Sequence, residues 1–132
     1  MAAGRVLLVE DNAMNRRMAE FLLRSKGFTV YQATTGEEAL LMAREELPDL
    51  IVMDLQLPGM DGYAATRTLK ADALTRHIPV VAMTAYAMTG DRERALAAGC
   101  DGYITKPIDT QEFPRVVARY LASSPGPETA DG

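Results

Sequence analysis

Four segments of this chain end in side chains able to do chemistry together. Val6-Leu7-Leu8-Val9 runs into Glu10 and Asp11, and Leu50-Ile51-Val52-Met53 runs into Asp54. Pro79–Met83 is followed by Thr84, and a weaker segment near Gly102–Thr105 is followed by Lys106 and Pro107. Apolar runs this short, bounded by turn signals, read as strands buried on both faces. Three carboxylates at two strand ends are costly unless positive charge sits among them. A hard divalent cation such as Mg²⁺ suits them, held by carboxylates, a backbone carbonyl and water. The Thr84 hydroxyl and the Lys106 ammonium are groups that neutralise phosphoryl oxygens. In that setting Asp54 reads as a nucleophile forming an acyl phosphate, in a step governed by positioning and electrostatics.

These side chains need a scaffold that brings strand ends together. Strand-like segments at Arg5–Val9, Phe28–Gln32, Leu50–Met53, Pro79–Met83 and near Gly102–Thr105 alternate with helical periodicity. Met14, Met18, Phe21 and Leu22 share one helical face, with Gly27 where a C-terminal cap belongs. Thr35 and Glu38 form a capping-box pattern, and Asp61 can cap the helix that carries Ala65 and Leu69. An Ala-rich segment runs from Met88 to Ala98 and stops at Gly99. The last helix carries Phe113, Val116, Val117, Tyr120 and Leu121 behind a second capping-box pattern, Asp109 with Glu112. Pro114 conflicts with a start at Asp109, so either the helix starts later or its first turn is distorted. Five β-α units with short connections predict an α/β fold: a doubly wound, five-stranded parallel sheet with helices on both faces. In such sheets ligands bind beyond the carboxyl ends of the strands, where strand order reverses. The two most apolar runs, Val6–Val9 and Leu50–Met53, belong at the centre.

The bulk numbers narrow the function classes. The chain has 132 residues, enough for one domain, with 48% hydrophobic and 24% charged residues. A net charge of −4 argues against a nucleic-acid surface. No apolar run reaches the roughly 20 residues that span a bilayer. The first residues do not read as a signal peptide, and the lone Cys100 leaves no internal disulfide, which together predict a cytoplasmic protein. The segment 1–122 reads as the folded domain, and the Ser-, Pro- and Gly-rich segment 123–132 as a disordered tail. No G-x-G-x-x-G follows the first strand and no G-x-x-x-x-G-K-[ST] occurs, so nucleotide binding has no local support. A haloacid-type phosphatase would carry D-x-D at its nucleophile, whereas this strand reads Asp54-Leu55-Gln56. His77 and the Arg92/Arg94 pair read as surface groups, and the eight Met residues mostly as core filler.

Four motifs occur jointly: Val9-Glu10-Asp11-Asn12; Met53-Asp54 with Leu57-Pro58-Gly59-Met60-Asp61-Gly62; Met83-Thr84-Ala85; and Tyr103-Ile104-Thr105-Lys106-Pro107. Together they resemble the receiver domains of two-component response regulators, over roughly Arg5 to Leu121. The resemblance implies the flavodoxin-like strand order 2-1-3-4-5. It implies that Asp54 accepts a phosphoryl group from a phosphohistidine on a sensor histidine kinase or a histidine phosphotransfer protein. Asp11, Asp54 and the Gln56 backbone carbonyl would bind Mg²⁺ directly, with Glu10, in place of the commoner Asp, helping through water. Lys106 would contact the phosphoryl group, and a cis peptide is implied before Pro107. Thr84 and Ala85 would meet the phosphoryl oxygens, and Tyr103 would swing inward to remodel the face of the fourth helix and fifth strand. A downstream protein would read that face, as a population shift between two states. The resemblance gives no nucleic-acid or membrane partner, and no enzymatic role beyond self-phosphorylation and autodephosphorylation. Asn12, Asn15 and the stretch Ala85 to Arg92 look like hybrid-kinase receivers and stand-alone DivK-type regulators, and the chain length leaves no room for an output domain. Gln56 and the bulky Tyr86 occupy positions that tune the phosphoryl lifetime in the family, and Tyr86 predicts a long one. The alternative is a non-phosphorylated interaction module on the same fold, but such modules usually lack a key residue and none is missing here.

Overall fold

The structure, a computed structural model, describes residues 4–85 and 90–122. The tail 123–132, Tyr86, and the start of the Ala-rich segment at Met88 lie outside the described residues. Strands β1 (Arg5–Val9), β2 (Thr29–Ala33), β3 (Leu50–Asp54), β4 (Val80–Thr84) and β5 (Gly102–Thr105) alternate with helices α1 (Ala13–Arg24), α2 (Gly36–Glu46), α3 (Gly62–Ala71), α4 (Asp91–Ala98) and α5 (Glu112–Ala122). The strands form one parallel sheet in the order β2-β1-β3-β4-β5. The chain steps outward from β1 to β2, then returns past β1 to β3. Strand order therefore reverses between β1 and β3, and the predicted crevice lies there.

Alternate strand residues feed two cores. Val6, Leu8, Val52, Val81 and Met83 pack with Ala19 and Leu23 of α1 and Phe113 and Val117 of α5. Leu7, Val9, Ile51, Met53 and Ala82 pack on the other face with Ala39 of α2, Ala65 and Leu69 of α3, and Ala95 of α4. Strands buried on both faces explain why β1 and β3 read as unbroken apolar runs.

Several expectations shift at element ends. The Phe28 N–H donates to Leu23 O at 3.2 Å and so belongs to the turn closing α1, which starts β2 one residue later than its apolar run. β3 and β4 run one residue further than expected and take in Asp54 and Thr84. α1 closes in a Schellman turn: the Gly27 N–H donates to Arg24 O at 3.0 Å and the Phe28 N–H to Leu23 O, so Gly27, at φ +93°, is the left-handed closing residue that its place in the sequence predicts. The Thr35 side chain accepts from the Glu38 N–H at 3.0 Å, while Glu38 reaches back to the Thr34 N–H instead of the cap residue's own. Pro114 is accommodated by the later start: α5 begins at Glu112, so Pro114 sits in the first turn, where no helical N–H partner is needed. Asp109 Oδ1 accepts from the Gln111 and Glu112 N–H groups, both at 2.9 Å.

Of the apolar face read on α1, Leu22 is partly buried against the core, while the other three residues turn outward. Met14 is 78%, Phe21 70% and Met18 38% exposed, whereas Ala19 and Leu23 are buried. The small Ala19 and the single Leu23 fill the space against β1 and β2 alongside Phe28. Of the other methionines read as core filler, Met53 and Met83 are buried, and Met42 and Met60 are partly buried against the core.

Candidate functional site

Glu10, Asp54, Thr84 and Lys106 meet beyond the carboxyl edge of the sheet. Asp54 closes β3 in register with Met83, and the next N–H, from Leu55, donates to Met83 O at 2.9 Å. The loop after β3 folds back closely. A Cβ on Gly62 would lie 2.3 Å from the Asp54 carbonyl oxygen, so only glycine lets α3 start against this strand end. The Lys106 N–H donates to Thr84 O at 2.7 Å, which fixes where its side chain leaves β5. The Lys106–Pro107 peptide is cis.

The Lys106 ammonium lies 2.9 Å from Asp54 Oδ2 and 2.9 Å from Glu10 Oε1. Both acids are 1% exposed. Asp11 is exposed beside them, and the three carboxylates each bring an oxygen to within 4.8 Å of the others. Burial pushes the Glu10 carboxyl above its ordinary pKa; Lys106 and Asn12 offset part of the rise, and nearby Asp54 adds to it. Burial also works against the Lys106 ammonium, but its hydrogen bond to Asp54 and its close contacts with the Asp54 and Glu10 carboxylates outweigh that and raise its pKa. Two buried carboxylates thus share a single ammonium, with the third, Asp11, close beside them.

The group tests well as a cation site. Glu10 Oε1 is buried and accepts no hydrogen bond among the described residues; its contact with Lys106 is an ion pair only. Such an oxygen, beside two further carboxylates, is the donor set a hard divalent cation takes. Asp54 Oδ1 accepts from the Gln56 N–H at 3.0 Å, and Asn12 N–H donates to Glu10 Oε2 at 3.1 Å. Both acids are held by backbone before any ligand arrives.

Sequence reading missed three supports. Arg16 Nη1 donates to the carbonyls of Glu10 at 3.0 Å and Asp11 at 3.5 Å, and its Nε donates to Gln32 Oε1 at 3.1 Å. The acidic turn is thereby tied to β2 without its carboxylates being neutralised. The Gln56 side chain accepts from the Thr84 hydroxyl at 3.1 Å and the Ala85 N–H at 3.4 Å. Arg94, read as solvated, lies 4.3 Å from the centre of the Tyr63 ring and links α4 to α3. None of these contacts has a sequence spacing that announces it. Tyr103 is half-buried on β5 against the core beneath α4, and its position three residues before Lys106 is what marks it in the sequence.

The sequence pattern of the response regulator receiver domain matches residues 6–118. The chain belongs to the response regulator receiver domain family. This receiver is 44% identical, over 90% of its length and 97% of theirs, to the polar-differentiation response regulators DivK of Brucella ovis and Brucella abortus. It also superimposes on the receiver domain of the sensor histidine kinase PA1611 of Pseudomonas aeruginosa, described with a magnesium ion coordinated in the active site cleft. The TM-score there is 0.85, with 41% identity over 92% of this chain and all of that one. The chemotaxis response regulator CheY4 of Vibrio cholerae matches with a TM-score of 0.83 and 26% identity, over 90% of this chain and 98% of that one. Receivers are signalling modules of two-component systems that interact with kinases and downstream proteins. No helix among the described residues is long and apolar enough to cross a membrane.

A cleft of about 350 Å³ opens beside the acidic group of this receiver, lined by Glu10, Asn15, Met18, Lys106, Pro107 and Ile108. Met18 lines the cleft from α1, and Met14 and Phe21 are exposed on the same face of that helix.

Proposed function

We propose that this receiver accepts a phosphoryl group on Asp54 from a phosphohistidine of a sensor histidine kinase or histidine phosphotransfer protein. The observation that carries the reading is the Lys106 ammonium, 2.9 Å from both Asp54 Oδ2 and Glu10 Oε1 within the three-acid group. A carboxylate oxygen of Asp54 attacks phosphorus, the P–N bond breaks, and the electron pair leaves with the imidazole. Lys106, Thr84 and the Ala85 N–H supply donors for the phosphoryl oxygens. Asp11, Asp54 and the Gln56 carbonyl would hold Mg²⁺, with Glu10 helping, and an ion there would supply positive charge for phosphoryl oxygens that the carboxylates repel. Small phosphodonors such as acetyl phosphate load the same residue, and slow hydrolysis of the acyl phosphate resets it. While Asp54 carries the phosphoryl group, Tyr103 shifts with Thr84, and a downstream protein reads the face of α4 and β5.

The test is phosphorylation with acetyl phosphate and Mg²⁺, followed by intact mass. Wild type gains one phosphoryl group; Asp54→Asn gains none, and EDTA abolishes the gain. Equal labelling of wild type and Asp54→Asn would sink the reading. Equal partner binding by wild type and Asp54→Ala would favour a non-phosphorylated interaction module.

The donor protein has to cover the rim around Asp54, and α1 supplies an apolar one. Exposed, contiguous apolar side chains at a functional cleft mark a protein contact. Phe21→Ser therefore leaves acetyl phosphate labelling unchanged and slows phosphotransfer from the cognate histidine protein about tenfold or more. A transfer rate equal to wild type would remove α1 from the contact.

A further inference from the structure

The groups expected to meet the phosphoryl oxygens are already engaged by another acceptor. Gln56 Oε1 takes the Thr84 hydroxyl at 3.1 Å and the Ala85 N–H at 3.4 Å. A backbone N–H can only donate, so the carboxamide presents its oxygen here and not its nitrogen. The same residue donates its backbone N–H to Asp54 Oδ1 at 3.0 Å. Gln56 thus bridges the ends of β3 and β4, with its backbone on the nucleophile and its side chain on the donors that serve the nucleophile's product. That side chain lies at the exposed mouth of the site, free to swing away without disturbing the core.

We propose that the Gln56 carboxamide oxygen is a built-in stand-in for a phosphoryl oxygen, a positioning residue that latches Thr84 and Ala85 in the unphosphorylated protein and must be displaced when the phosphoryl group arrives. The inference rests on the phosphoacceptor reading of Asp54. Its consequence is quantitative. Phosphorylation exchanges the latch for new contacts, so the latch raises the threshold for switching by the net worth of the bonds it makes. One net hydrogen bond corresponds to about a three- to tenfold shift in an equilibrium.

The test titrates beryllium fluoride, a phosphoryl mimic, in saturating Mg²⁺ against wild type, Gln56→Leu and Gln56→Glu, following the amide resonances of Thr84 and Ala85. Gln56→Leu removes the acceptor and keeps the bulk; Gln56→Glu keeps an acceptor oxygen. Gln56→Leu should bind the mimic about three- to tenfold more tightly than wild type. Without mimic or metal, its Ala85 amide resonance should already lie part of the way to the bound position. Gln56→Glu should stay near the wild-type resting resonance. Mg²⁺ affinity is measured alone for wild type and for Gln56→Leu, which adds no charge beside the acidic group, so that any change in mimic binding is read against it. Unchanged or weaker mimic binding by Gln56→Leu, an unmoved Ala85 resonance, or a parallel change in Mg²⁺ affinity would each overturn the latch while leaving the phosphoacceptor reading intact. Failure of wild type itself to bind the mimic would overturn both.

Discussion

The two edges of the sheet carry charge in opposite ways. At the amino edge, Arg5 pairs with Glu46 at 3.6 Å with both side chains 39% exposed, and it also stacks on Tyr31. Lys70 meets Asp101 at 3.0 Å and the Ile78 carbonyl at 2.8 Å, and Asp101 in turn accepts the Val80 N–H. Each of these charges has an opposite charge and reaches water, and Arg5, Lys70 and Asp101 also have backbone partners. At the carboxyl edge, Glu10 and Asp54 are 1% exposed and share one ammonium. The amino edge ties elements together. The carboxyl edge holds an excess of buried negative charge that does not stabilise the fold and that a divalent cation or a developing phosphoryl contact relieves. Strain of this kind at one edge of an otherwise balanced molecule marks the site.

The largest effect that would break the comparison comes from removing the shared cation. Lys106→Met leaves two buried carboxylates unpaired and should cost about 3–5 kcal/mol in urea unfolding without metal, with part of the loss restored by Mg²⁺. An ion pair between the ends of α2 and α3, on the amino-edge side, is the control. Arg44 and Asp72 sit 3.4 Å apart, with Arg44 57% exposed. Arg44→Ala should cost less than about 1 kcal/mol. Equal losses from the two variants would mean that the edges do not differ.

Glu10→Gln sharpens the same contrast with the opposite sign. Burial already disfavours the charged form of Glu10, so the neutral isostere should stabilise the metal-free protein by about 1 kcal/mol in urea with EDTA. The same change should weaken Mg²⁺ binding about tenfold or more by calorimetric titration. A variant that lost stability and kept its Mg²⁺ affinity would make Glu10 a structural residue.

Much of this was legible in the sequence because buried parallel strands announce themselves and end abruptly. The step from Met53 to Asp54, or from Met83 to Thr84, marks both a strand end and a functional group. Periodicity served less well on α1. It shows that Met14, Met18 and Phe21 share a face but not which face turns inward; the space left by Leu23, Phe28 and the β1–β2 surface decided that. Spacing was also silent on side chains that meet across the crevice. Gln56 and Thr84 come together only because β3 and β4 are neighbours in register, and Arg16 finds the Glu10 carbonyl only after α1 has packed. The capping pattern at Asp109 was legible, and so was the conflict at Pro114. Only the helix start at Glu112 resolved it.

The smallest effect compares two acids near the same edge. Glu10 is buried among like charges and its pKa rises, whereas Asp109 is exposed, accepts the Glu112 and Gln111 N–H groups, and its pKa falls. A carboxyl whose folded pKa is depressed stabilises the fold above its unfolded pKa, about 3.9 for aspartate. That stabilisation is lost as pH falls through the lower folded value. Asp109→Ala should therefore reduce the unfolding midpoint slightly at neutral pH and lose less stability than wild type on acidification below about pH 4. Acid titration of the urea midpoint, wild type against variant, reads the difference directly. Parallel curves would mean that Asp109 lends the α5 terminus a side chain but no charge.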